Sequence, residues 1–159
     1  VKVTKKTLVM SAMAVLVAGT GVIMLADAAQ ALTTCDRMVL MAGTVDPAGT
    51  YGYSGIPTAG GDRSCRLHMG VDTGTDAHSS PVWWLQRTLN ECYGASLVLD
   101  GAYGPKTAEA VKAAQATVRG LERDGVYGPR TRNALKWYTE RSTSHGGTLA
   151  KCLPYGSLK

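Results

Sequence analysis

Three groups of residues invite a chemical reading. The first is His68 with Asp72, inside Arg66-Leu67-His68-Met69-Gly70-Val71-Asp72. An imidazole and a carboxylate are donors that zinc takes, but a catalytic zinc needs three protein ligands and an open position. The other histidines are His78 and His145, and no His-x-His pair exists. No metal site or cofactor is assigned, and His68 and Asp72 read as loop residues. The second group is the four cysteines, Cys35, Cys65, Cys92 and Cys152. None is spaced as C-x-x-C, which argues against structural zinc. The third group combines rings with polar side chains: Trp83, Tyr103, Lys106, Asp124, Tyr127 and Arg130. Aromatic faces flanked by such groups suit a ligand rich in hydroxyls, amides and carboxylates. No G-x-S-x-G segment or paired carboxylates stand out, so no catalytic residue is assigned.

The compartment bears on all three groups. Lys2, Lys5 and Lys6 precede an uncharged run from Leu8 to Ala26, and Ala29-Gln30-Ala31 closes the segment. A cationic start, an apolar middle and an A-x-A site describe a secretory signal peptide, residues 1–31. The alternatives are a retained anchor, since 19 uncharged residues just reach across a bilayer, and lipidation at Cys35. Cleavage would remove three Lys and one Asp, leaving 128 residues with 14 basic and 11 acidic side chains, a net +3 instead of +5. That excess is too small to argue for nucleic acid. No stable membrane association is expected after cleavage. An even cysteine count in an exported small protein reads as two disulfides, with three connectivities open. The pairing Cys35–Cys65 with Cys92–Cys152 is preferred, because it ties down a Gly-rich segment and pins the C-terminal tail to a helix end.

The positioning elements read as helices. Ser80-Pro81 caps a helix whose Val82, Leu85 and Leu89 share one face to about Cys92, before Gly94 breaks it. Trp83 and Trp84 are adjacent on it, so one must point away from the core. Two matching segments follow, Asp100-Gly101-Ala102-Tyr103-Gly104-Pro105-Lys106-Thr107 and Asp124-Gly125-Val126-Tyr127-Gly128-Pro129-Arg130-Thr131, 24 residues apart. Asp-Gly makes a tight turn and Gly-Pro starts a helix. Each leads into an apolar stretch, Ala108, Val111, Ala114 and Gln115 in the first, Ala134, Leu135, Trp137 and Tyr138 in the second. The expectation is an internal repeat of turn-plus-helix units, and an all-α fold: a small three-helix bundle with an irregular, disulfide-tied N-terminal arm. Residues 32–64 form the Gly-rich arm or linker, 65–140 the helical domain, and 141–159 a polar tail held by Cys152.

These segments carry a family resemblance. Val82-x-x-Leu85-Gln86-x-x-Leu89, Asp100-Gly101-x-Tyr103-Gly104-x-x-Thr107, Ala110-Val111 with Gln115, and Gly120-Leu121 before Asp124-Gly125-x-Tyr127-Gly128-x-x-Thr131 resemble the peptidoglycan-binding domain of bacterial cell-wall hydrolases. The resemblance covers residues 65–138. Tyr103 stands where the family has Phe, and Ala114 where an aromatic precedes Gln115. The resemblance implies a non-catalytic module that holds a secreted protein on the wall, with peptidoglycan or a muropeptide as partner and a monomer as the working unit. Candidate ligand contacts are Tyr103, Tyr127, Asp124, Arg130, Lys106 and Trp83, although the repeated turn itself reads as structural before ligand-contacting. His68-x-Gly70-x-Asp72 followed by Pro81-Val82 is also similar to the opening zinc motif of lysostaphin-type wall endopeptidases, but the downstream H-x-H is missing. A small wall hydrolase, with its catalytic part in 32–80, and a secreted interaction protein, such as an inhibitor, on the same scaffold are the competing functions.

Overall fold

The computed structural model describes residues 32–77, 79–142 and 148–159. The predicted signal peptide, His78 and His145 lie outside the described residues. Nine helices and strands follow one another: β1 (Thr33–Thr34), β2 (Arg37–Thr44), β3 (Tyr51–Thr58), β4 (Cys65–Arg66), α1 (Pro81–Tyr93), α2 (Pro105–Ala116), α3 (Pro129–Ala134), β5 (Lys136–Ser142) and β6 (Thr148–Pro154). A single 3-10 turn, Tyr155–Ser157, comes last. The fold is therefore not all-α: among the described residues, three short helices are joined by six strands in two sheets.

The larger sheet has the order β2-β3-β5-β6, each neighbour antiparallel. Its first half comes from the supposed irregular arm. Asp46-Pro47-Ala48-Gly49 turns β2 into β3, with Asp46 Oδ1 accepting the Thr50 N–H at 2.8 Å and Gly49 at φ +85°. Glycines that suggested a linker instead receive large side chains. A Cβ on Gly55 would lie 2.4 Å from the Trp84 ring, and one on Gly43 would lie 2.5 Å from Leu153. The second half of the sheet corrects the third helix. α3 stops at Ala134, and Leu135 is already extended (φ −80°, ψ 155°). Trp137, Tyr138 and Thr139 are β-prone residues that continue as strand, with Trp137 opposite Leu153 and Tyr138 opposite Cys152.

The smaller sheet pairs β1 with β4 in parallel, Thr33 opposite Cys65. The disulfides are Cys35–Cys65 and Cys92–Cys152, the pairing preferred above. Both ends of α1 are local in origin. Ser80 Oγ accepts the Trp83 N–H at 3.1 Å, and Gly94 closes the helix at φ +68°. Trp84 packs inward with its Nε1 donating to the Ala77 carbonyl at 2.6 Å, while Trp83 stays half-buried. One hydrophobic core joins the sheet and the helices: Ile56 from β3, Leu67 just after β4, Leu85 and Leu89 from α1, Val111 from α2, and Trp137 from β5. The described residues form one compact unit.

Candidate functional site

Each Asp-Gly turn is organised by a buried glutamine from the helix before it. Gln86 on α1 donates Nε2 to Asp100 Oδ1 (2.7 Å), the Ala102 carbonyl (3.0 Å) and Thr107 Oγ1 (3.2 Å), and its Oε1 accepts the Gly101 N–H (3.0 Å). Gln115 on α2 repeats every bond: Asp124 Oδ1 (2.8 Å), Val126 carbonyl (3.1 Å), Thr131 Oγ1 (3.1 Å) and Gly125 N–H (3.0 Å). Each aspartate also accepts the N–H two residues on, from Ala102 or Val126, as Asx turns do. The Gln86 bond is the main reason the Asp100 carboxyl is held below its ordinary pKa. Glycine is required in both turns. Gly125 sits at φ +71° with the Ala108 carbonyl 2.9 Å from where a Cβ would be, and Gly101 has the Gly74 carbonyl still closer.

The two turns are tied to each other and to the segment before α1. The Tyr103 hydroxyl donates to the Gly125 carbonyl at 2.9 Å. Leu67 exchanges both backbone bonds with Tyr127 at 2.9 Å, and the Gly70 N–H donates to the Tyr103 carbonyl at 3.0 Å. Tyr103 and Tyr127 are 1% and 0% exposed, and burial raises both phenols. Neither ring can present a face to a ligand, which corrects their candidacy as contacts. The Tyr127 ring instead meets Trp137 edge to face at 5.9 Å.

What this frame presents outward is a pair of grooves that meet at Pro105. One, of about 440 Å³, runs between His68-Met69 and α2, with Glu109, Lys112 and Asp124 along it and Gly125 among its lining. Glu109 and Lys112 form an i,i+3 ion pair at 3.0 Å, Glu109 exposed and Lys112 partly so. The other, of about 430 Å³, is lined by Val98, Asp100, Lys106 and Thr107. Charged groups of both signs beside small apolar surfaces can bind the carboxylates, amides and amines of a peptide.

The remaining candidate residues are dispersed. Lys106 lies in the second groove, Asp124 in the first, and Arg130 is exposed on α3. Trp83 lies on α1 with the Arg87 guanidinium 5.3 Å from its ring centroid. His68 Nδ1 is 3.0 Å from the Met69 carbonyl, and Asp72 accepts the Gly74 N–H at 2.9 Å. Among the described residues, no group of three His, Cys, Asp or Glu side chains could hold a metal ion. Sequence reasoning missed Met69, Glu109 and Lys112, for which the i,i+3 charge spacing was the available signal. It also missed the two glutamines as hubs; their signal was the same polar residue on the apolar face of two consecutive helices.

Residues 78–135, a little over a third of the chain, match the family model "Putative peptidoglycan binding domain". The resemblance seen in the motifs is thus met by a match over the whole turn-helix region. It supports peptidoglycan binding in general and indicates peptidoglycan as a partner. With two disulfides, it is consistent with an extracellular or wall location. No curated protein and no solved structure matches the chain. Among the described residues, no helix is long and apolar enough to cross a membrane.

Proposed function

We propose that this is a secreted, non-catalytic, monomeric wall-binding protein whose first groove receives the peptide stem of peptidoglycan. The family match at 78–135 carries the proposal. The geometry supports it, because Lys112 and His68 suit stem carboxylates while Glu109 and Asp124 suit amide or amine donors across the same groove. The turn networks hold Asp124 and the Gly125 backbone rigid, so little ordering is lost on binding. Residues 65–140 act as the binding domain, with Lys106 as a cation in the adjoining groove.

The test is co-sedimentation with insoluble peptidoglycan at moderate salt. The protein is expected in the pellet and Lys112→Glu largely in the supernatant, with unchanged circular dichroism because that side chain is 44% exposed. A wild type that stays soluble refutes wall binding. Clearing of a wall suspension on adding protein and zinc would refute the non-catalytic part, and favour the hydrolase that the His68–Asp72 pair resembles.

A further inference from the structure

We infer that the open face of the β2–β3 hairpin is a second binding site, for a neutral polysaccharide strand, built by Leu40, Tyr51 and Tyr53 outside the 78–135 segment with Trp84 inside it as one wall. Leu40, Tyr51 and Tyr53 are 56%, 54% and 51% exposed, three of the most exposed large apolar side chains among the described residues. The register puts them together. Leu40 lies opposite Gly55, Ala42 opposite Tyr53, and Thr44 opposite Tyr51, so these residues share one sheet face. Tyr51 and Tyr53 are two residues apart, which places their rings about 7 Å apart along the strand.

Tyr53 has the small Ala42 opposite it on β2, Glu140 opposite it on β5 and the Trp84 ring over Gly55 two residues along, and it stays 51% exposed between them. A groove of about 350 Å³ continues from Tyr53 and Leu40 to Trp84 and Glu140. Its walls are held in place. Trp84 lies over Gly55 with Nε1 bonded to Ala77, and Glu140 Oε2 accepts from Arg87 (2.6 Å) and the Tyr138 hydroxyl (3.2 Å). Arg141 stands at the same groove.

Three properties select the occupant. Bare rings bearing hydroxyls suit the apolar C–H faces of pyranose sugars, with the hydroxyl at the rim for polar contact. Glu140 is already matched by Arg87, which leaves Arg141 as the one further charge on the groove, too little to select a polyanion or an acidic peptide over a neutral chain rich in hydroxyls. Three half-exposed side chains are far short of the surface a stable protein partner needs. Strand addition by a second copy is also obstructed, because Lys159 occupies both backbone bonds of Ala42 on the outer edge of β2, each at 2.9 Å. The inference rests on the wall-binding reading only for the source of the polysaccharide, the glycan strand of the wall.

The full chain is titrated calorimetrically with a β-1,4-linked N-acetylglucosamine hexamer. Wild type is expected to bind, Tyr51→Ala/Tyr53→Ala to lose about tenfold or more in affinity, and Tyr51→Phe/Tyr53→Phe to keep most of it, since the ring makes the contact. Lys112→Glu is expected to bind the hexamer as wild type does. A wild type that ignores the hexamer, or a double alanine variant that binds it equally well, overturns the inference. Sedimentation with whole peptidoglycan separates the two proposals. Pelleting without hexamer binding leaves wall binding standing and removes this site; hexamer binding without pelleting does the reverse. A concentration-dependent dimer in sedimentation velocity that the double alanine variant abolishes would assign the face to self-association instead.

Discussion

Replacing Gln86 with leucine asks whether the first turn is held by its hub or only by burial around it. The side chain is 1% exposed, and leucine nearly preserves its volume while deleting every bond it makes. Nε2 has two protons spread over three acceptors, so about two independent donor bonds are lost, one of them to the Asp100 carboxylate at 2.7 Å. A hydrogen bond to a charged group contributes about 1.5–3 kcal/mol and a neutral one about 1 kcal/mol. Asp100 is exposed and regains water, which discounts the first figure. The Gly101 N–H does not regain water: it is buried, its acceptor is Gln86 Oε1, and leaving such a donor unmet costs about 1–3 kcal/mol. Apolar burial of the leucine returns about 1 kcal/mol. The net expectation is a loss of roughly 2–4 kcal/mol, out of the roughly 5–15 kcal/mol that stabilises a domain of this size.

Urea unfolding followed by tryptophan fluorescence, with both disulfides intact, measures the loss. Hydrogen exchange at the Gly101 amide localises it. Gln115→Leu should cost a similar amount, because the same four bonds recur around Gly125. Gln86→Glu adds a check with a sign. It keeps an acceptor for Gly101 but sets a second carboxylate against Asp100, so one of the two must take a proton at raised pKa. The deficit of that variant relative to wild type should therefore shrink as pH falls from 7 toward 4. A Gln86→Leu protein within 1 kcal/mol of wild type, with unchanged exchange at Gly101, would refute the hub account.

Gly55→Ala should cost about 1–3 kcal/mol and alter tryptophan near-ultraviolet dichroism, because the new methyl meets a Trp84 ring that its Ala77 bond holds in place; an unchanged spectrum would count against that packing. The Cys92–Cys152 bond joins half-buried residues while Cys35 and Cys65 are buried, so limited dithiothreitol followed by alkylation and mass spectrometry should label Cys92 and Cys152 first. Removing Cys92–Cys152, with a sequence separation of 60, should cost about 4 kcal/mol in urea unfolding. At alkaline pH, Tyr103 and Tyr127 stay protonated in the fold after their unfolded counterparts have ionised near 10.0. Stability is then full below pH 10 and falls above it by about 1.4 kcal/mol per pH unit for each tyrosine. Reversible phenolate absorbance from all seven tyrosines near pH 10 without unfolding would contradict their burial.

What was legible in the sequence is what is decided within a few residues. Ser80-Pro81, Gly94 and the two Asp-Gly turns were readable because cap and turn chemistry acts over a short span. The sheet was not, because its signals are partners far along the chain. Gly43 and Gly55 look like linker residues until Leu153 and Trp84 are placed on them. Leu135, Trp137 and Tyr138 fit a helical face in a short window as well as a strand, and only pairing with Leu153 and Cys152 separates the two. The tyrosines show the same limit at the candidate sites. The Tyr103 hydroxyl serves an internal role, since it reaches the Gly125 carbonyl and joins the two turns. A hydroxyl on a ring advertised ligand binding there, yet the partner is backbone. Tyr53 has the same side chain, and between Ala42, Glu140 and the Trp84 ring over Gly55 it stays half exposed. Which tyrosine meets a ligand is decided by what packs over the ring, a property of the assembled sheet and not of the motif that contains it.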